Sequence, residues 1–250
     1  AAMATVSPRQ VTSGYFRNHL YVILGLSSLA TLLSRVAAPA AFGWSLAAAA
    51  LSYVGAVAWL YEKRTFGVAM LVMVAIAALA GALAITKVPV EVASGPIGFA
   101  NGDGVPKMIA TLALVLRILQ TVTSGVLVGF TMAAMLLGHW YLNSPGMELR
   151  PLRKLLIAMA IAVTAQAIVC GVGFYLENSL QSLSTQDWLF LTLRWSFGLV
   201  GVIILISLTW QTLAIPNTQS ATGILYVAVM GVFVGETMSL LLSAESLFPV

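Results

Sequence analysis

Seven runs of mostly apolar residues, each long enough to cross the hydrocarbon core of a bilayer, constrain this chain more than any other feature. A helical crossing needs roughly 20 such residues. Lipid gives backbone N–H and C=O groups no partner, so a crossing segment is either a helix or part of a closed barrel. The strict apolar–polar alternation of barrel strands is absent from the sequence,. The expected fold is therefore all-α, a polytopic integral membrane helix bundle of seven transmembrane helices forming one transmembrane domain over residues 1–250. The spans are placed at Tyr15–Leu33, Ala41–Trp59, Phe66–Thr86, Met108–Trp140, Leu155–Leu176, Trp188–Leu213 and Ala221–Leu242. The first is expected to be a retained span and not a cleavable leader, because its apolar run fills a whole crossing and Arg35 follows it,.

Composition narrows the function classes. With 60% hydrophobic and only 8% charged residues, the chain cannot cover a soluble surface, and nucleic-acid binding, coiled coil and disorder are excluded as main readings,. The partner that composition demands is the lipid bilayer. A single cysteine, Cys170, rules out an intrachain disulfide, a Cys₄ zinc site or an iron–sulfur cluster held by this chain alone,.

Cation placement sets the expected orientation. Arg9, Arg17, Lys63, Arg64, Arg150, Arg153 and Lys154 fall on one side of the seven spans, against Arg35, Lys87 and Lys107 on the other. The positive-inside bias then puts the N-terminus in the cytoplasm and the C-terminus outside, in the inner (cytoplasmic) membrane of a cell. Trp59, Trp140 and Trp210 near the inner ends, with Trp44 and Trp188 near the outer ends, agree with aromatic anchoring at both interfaces,. The Lys87–Lys107 loop, rich in Gly and Pro over 93–106, is expected outside, and it lacks the strand and the Lys-Ser/Thr of a phosphate loop,. The Asn143–Lys154 loop reads as a headgroup-touching anchor or, alternatively, a partner-docking loop,.

Three charges fall within spans: Arg117, Arg194 and Glu236. Stranding such a group in hydrocarbon costs about 2.5–3.5 kcal/mol even on insertion scales, so each needs a partner or a route to the interface. The arginines have stems long enough to snorkel, but a glutamate does not. Glu236 is therefore the candidate intramembrane ion-pair, proton or quinone site, with Arg194 at matching depth as its expected partner and Arg117 next. Arg117 also opens a polar face containing Gln120, Thr121 and Ser124,. The motif Leu-x-Leu-Arg at 114–117 and 191–194, with a later glutamate at 177 and 236, hints at a tandem hairpin repeat over 108–177 and 188–242,.

Gly125/Gly129 and Gly231/Gly235 form two small-xxx-small motifs, expected to bring helices into close contact,. His19 and His139, both near the inner ends, are read as interfacial residues, with bis-histidine ligation of a b-type haem as the alternative,. Met132, Met135 and Met147 around His139 read as packing and not as a copper site, so no metal is expected,. No HExxH, GxSxG, P-loop or paired-carboxylate pattern is present,. The function expected from these features is that of an integral membrane subunit of a larger respiratory or redox (electron-transfer) complex, structural or quinone-facing, with other membrane subunits as partners. A small-solute or ion transporter and a haem carrier are the alternatives. The chain alone is expected to hold no cofactor, with haem b or quinone as the options.

Overall fold

The computed structural model describes residues 2–6, 11–86, 107–143, 146–180, 183–215 and 217–250. The loop sequence at 87–106 and the Arg9 position lie outside them. Among the described residues every regular element is helical. A short 3₁₀ turn at Ala2–Thr5 precedes α1 (Ser13–Ala37), α2 (Pro39–Leu60), α3 (Arg64–Ile85), α4 (Lys107–Asn143) and α5 (Arg150–Leu180). The sixth crossing is composite: α6 (Thr185–Leu193), a π-helical segment (Arg194–Gly201) and α7 (Val202–Thr212). The last is α8 (Thr218–Glu245). Seven of these stretches are long and apolar enough to cross a membrane.

The helices overrun the apolar windows at most ends. α5 starts at Arg150, five residues before the expected Leu155, because Arg and Lys are good helix formers and water at the bundle end can satisfy the first N–H groups,. Arg153 takes part in this end: its Nη2 donates to Leu213 O at 3.1 Å, capping α7, and its guanidinium lies 5.9 Å from the Trp210 ring centre,. Turn chemistry is local. Pro39 sits at the first turn of α2, after a one-residue connection from α1,. Glu62 takes φ 53° in the turn before α3, and Ser184 with Asp187 forms a reciprocal capping box on α6,.

Two units make up the bundle. α1 packs broadly on α2 and α2 on α3, while α4 packs on α5 and α8, and α8 on the sixth crossing. α3 and α4 share few contacts, so the seam between these units is thin. At the end of the bundle that carries the N-terminus, Phe16 stacks on Trp59 at 4.2 Å and Tyr15 OH donates to Ala133 O at 3.0 Å, tying α1 to α4. Leu127, Leu137, Leu152, Leu155, Leu156 and Met159 are fully enclosed in the core between α4 and α5.

The two glycine motifs behave differently. Gly235 meets Gly198 of the π segment so closely that a Cβ added at Gly198 would lie 2.6 Å from the Gly235 Cα, and a Cβ at Gly231 would lie 3.0 Å from Phe197 O. A Cβ at Gly125 or Gly129 would meet nothing within 4 Å. The close helix contact expected of Gly125/Gly129 is therefore not made within this chain, because α3 stands away from α4 at that level. The two hairpins expected to repeat, α4–α5 and the sixth crossing with α8, lie together in the second unit; the π segment has no counterpart in α4.

Candidate intramembrane polar site

On α4, Arg117, Gln120, Thr121 and Ser124 fall at i, i+3, i+4 and i+7 and so line one face,. On α8, Glu236, Ser239 and Ser243 do the same at i, i+3 and i+7,. The two faces meet near the end of α3, at Ala82, Ile85 and Thr86, around a pocket of about 430 Å³. That volume falls in the range of small-molecule sites.

Hydrogen bonds order the walls. Ser124 Oγ donates to Glu236 Oε2 at 2.5 Å, and Gln166 Nε2 of α5 donates to Oε1 at 3.4 Å. Thr123 Oγ1 in turn donates to Gln166 Oε1, and Gln120 Nε2 donates to Ser239 Oγ. Thr121 and Thr86 hydroxyls meet at 3.2 Å across the α3–α4 seam. Neutral donors thus hold the Glu236 carboxyl, whose side chain borders the open pocket.

Arg117 closes the end of the pocket nearest the C-terminal segment. Its Nε donates to Leu247 O at 3.1 Å, and its Nη2 donates to Ser243 O at 2.9 Å and Ser246 O at 2.5 Å. Glu177, fully buried, clamps the same segment from α5 by accepting from Leu247 N at 3.0 Å and Phe248 N at 2.8 Å. Residues 246–250 are folded against the bundle, with Leu247 and Phe248 packed on Ala113 and Leu116. Gly173 gives Pro249 the room to sit directly on the α5 backbone.

The expected ion pair between Glu236 and Arg194 is not formed. Arg194, only 2% exposed, turns to α5, where its Nη2 donates to Cys170 Sγ at 2.5 Å; its Nε and Nη1 are buried without a partner. Matching depth set only the axial coordinate of this pair. The azimuth was set by helix packing, which points Glu236 at α4 and Arg194 at α5. Snorkelling is overturned too, since Arg194 is enclosed and Arg117 ends on backbone carbonyls of the chain. The expected second pairing, Glu236 with Arg117, is likewise replaced: both line the pocket, but each is held by other groups.

The histidines occupy different settings. His19 is buried, with Nδ1 3.2 Å from Tyr15 O and its ring against Tyr15 at 4.4 Å. His139 is exposed on α4, 3.4 Å from Tyr226 OH. Among the described residues no group of three or more His, Cys, Asp or Glu is arranged to hold a metal ion. Sequence reasoning missed Gln166 and the tail segment and read Glu177 only as part of the hairpin repeat; the i, i+3, i+7 spacing of Glu236, Ser239 and Ser243 was the signal that could have found the α8 wall.

Fold and site together define a polytopic helical membrane protein with a polar pocket where α4 and α8 of the second unit meet the end of α3. No protein-family model matches the chain, and no curated protein or solved structure is detectably similar to it.

Proposed function

We propose that this chain is a quinone-facing membrane subunit of a larger redox assembly, and that the pocket at Glu236 receives the quinone head. The observation that carries this reading is the pocket's lining: the polar side chains of Arg117, Gln120, Thr121 and Ser124 beside one carboxyl, all between apolar helices. Arg117 already donates from Nε and Nη2 to backbone carbonyls, which favours a neutral head over a phosphate. A quinone offers two carbonyl acceptors, and its reduction to quinol takes up two electrons and two protons. A redox partner subunit would supply the electrons, while Glu236 is placed to exchange a proton with a head-group oxygen. With the N-terminus cytoplasmic, the pocket lies in the outer half of the inner membrane.

The test is photolabelling of the full chain in lipid nanodiscs with an azido-quinone. Adducts are expected on α4 and α8 peptides, reduced about tenfold in Gln120→Leu and Glu236→Leu, the loss equivalent to about 1.4 kcal/mol. Labelling that is absent, or equal in these variants, would overturn the reading. The π-helical interruption at Arg194–Gly201 favours a second reading, a small-solute or ion transporter, because broken helices are a feature of transport sites,. Substrate flux in proteoliposomes of the chain alone, without quinone labelling, would favour it.

A further inference from the structure

We infer that the open seam between α3 and α4 holds the isoprenoid tail of the same ligand, so that Gly125 and Gly129 make room for a lipid chain instead of a neighbouring helix. This inference rests on the quinone reading of the polar pocket. A groove of about 580 Å³ runs along the seam, lined by Ala2 of the N-terminal turn, by Ile76 and Leu79 of α3 and by Val122, Gly129 and Phe130 of α4. It shares Ala82, Thr121 and Gly125 with the polar pocket, so the two form one continuous site, polar at Glu236 and apolar toward Phe130. From Arg117 to Phe130 the α4 wall runs about 20 Å, at 1.5 Å per residue. A head-and-tail molecule is the occupant that matches both parts.

Two features argue for a chain over a helix in this groove. The motif that normally draws a helix in has no partner within 4 Å, although α3 is the adjacent helix and carries small residues at Ala75, Ala78 and Ala82. Ile76 and Leu79, 60% and 42% exposed, also line the groove; a helix is about 10 Å across and would have to displace them, whereas a flexible chain can pass,. A phospholipid would fill the groove equally well, but its phosphate would face the Glu236 carboxyl and an Arg117 whose Nε and Nη2 already donate to backbone carbonyls.

The experiment measures binding to the full chain in phosphatidylcholine nanodiscs for two probes, a head-only benzoquinone and the same head bearing an isoprenoid tail. The wild type should bind the tailed probe more tightly. In Gly129→Leu the ratio of tailed to head-only affinity should fall about tenfold, the effect of losing one leucine-sized apolar contact. Gly129→Ala should give a smaller fall in the same direction. Gly129→Ala should fold, since a Cβ there meets nothing, and Gly223→Leu, at an equally open glycine on α8 outside the groove, should leave the ratio unchanged. An unchanged ratio in Gly129→Leu would overturn the tail assignment while the head reading stands. Head and tailed probes both failing to bind the wild type would overturn the head reading itself, and the tail assignment with it. A change of oligomeric state in Gly129→Leu, seen by light scattering without a change of ratio, would make the seam a helix interface and also overturn it.

Discussion

At the scale of single residues, Glu236 and Arg194 are each bonded to neutral groups and not to each other. Glu236 is held by Ser124 and Gln166, and Arg194 by Cys170. A double-mutant cycle on Ser124→Ala and Glu236→Gln should therefore show a coupling of about 1 kcal/mol or more in the free energy of detergent unfolding. The cycle on Arg194→Ala and Glu236→Ala should be additive within about 0.5 kcal/mol, because the two groups share no bond. Arg194 gives the sharper prediction. A buried guanidinium with two unpartnered nitrogens stabilises little, so Arg194→Met, which keeps the volume, should be neutral or should raise stability by about 1–4 kcal/mol,. Cys170→Ala, which removes the one acceptor, should lower it by about 1–3 kcal/mol. That intramembrane charges mark a site was legible from their rarity alone. Their partners were not, because Gln166 and Cys170 look like isolated residues in an apolar run, and nothing in a helical period says which neighbour each face meets.

At the scale of elements, identical motifs have opposite consequences. Gly198 and Gly235 touch backbone to backbone, so Gly235→Ala should cost about 1–3 kcal/mol by overpacking and push α8 away from the π segment,. Gly125→Ala should be neutral or favourable by up to about 1 kcal/mol, the helix-propensity gain where no neighbour objects,. Thermal unfolding of both variants in one detergent decides the contrast. The tail segment offers another check: Glu177→Ala leaves the Leu247 and Phe248 amides without this acceptor and should cost about 2–3 kcal/mol,. All seven crossings were readable from length and composition, since lipid leaves few alternatives. The π segment was not, because Arg194–Gly201 carries no cue beyond two glycines, and a widened turn is selected by the close approach of α8.

At the scale of the whole molecule, seven crossings and the cation bias give a testable orientation. Lys154 near the start of α5 and Gln186 in the first turn of α6, both exposed, lie at the two ends of the α5 crossing. In a Cys170→Ser background, Lys154→Cys should react with an impermeant maleimide only from the cytoplasmic face and Gln186→Cys only from outside. Reaction of both from one face would sink the topology. The thin seam between α1–α3 and α4–α8 also has a consequence in time. Within each unit most contacts join neighbours along the chain, the kind that form fast, whereas the contacts across the seam join the two units only after both exist,. During synthesis the first three helices would therefore settle while the fourth is still being made, and docking of the units would come last. The pocket wall supplied by Thr86 and the groove wall supplied by α3 are then completed in that final step, so the seam is the molecule's last assembly event and a natural checkpoint on whether it has been built correctly.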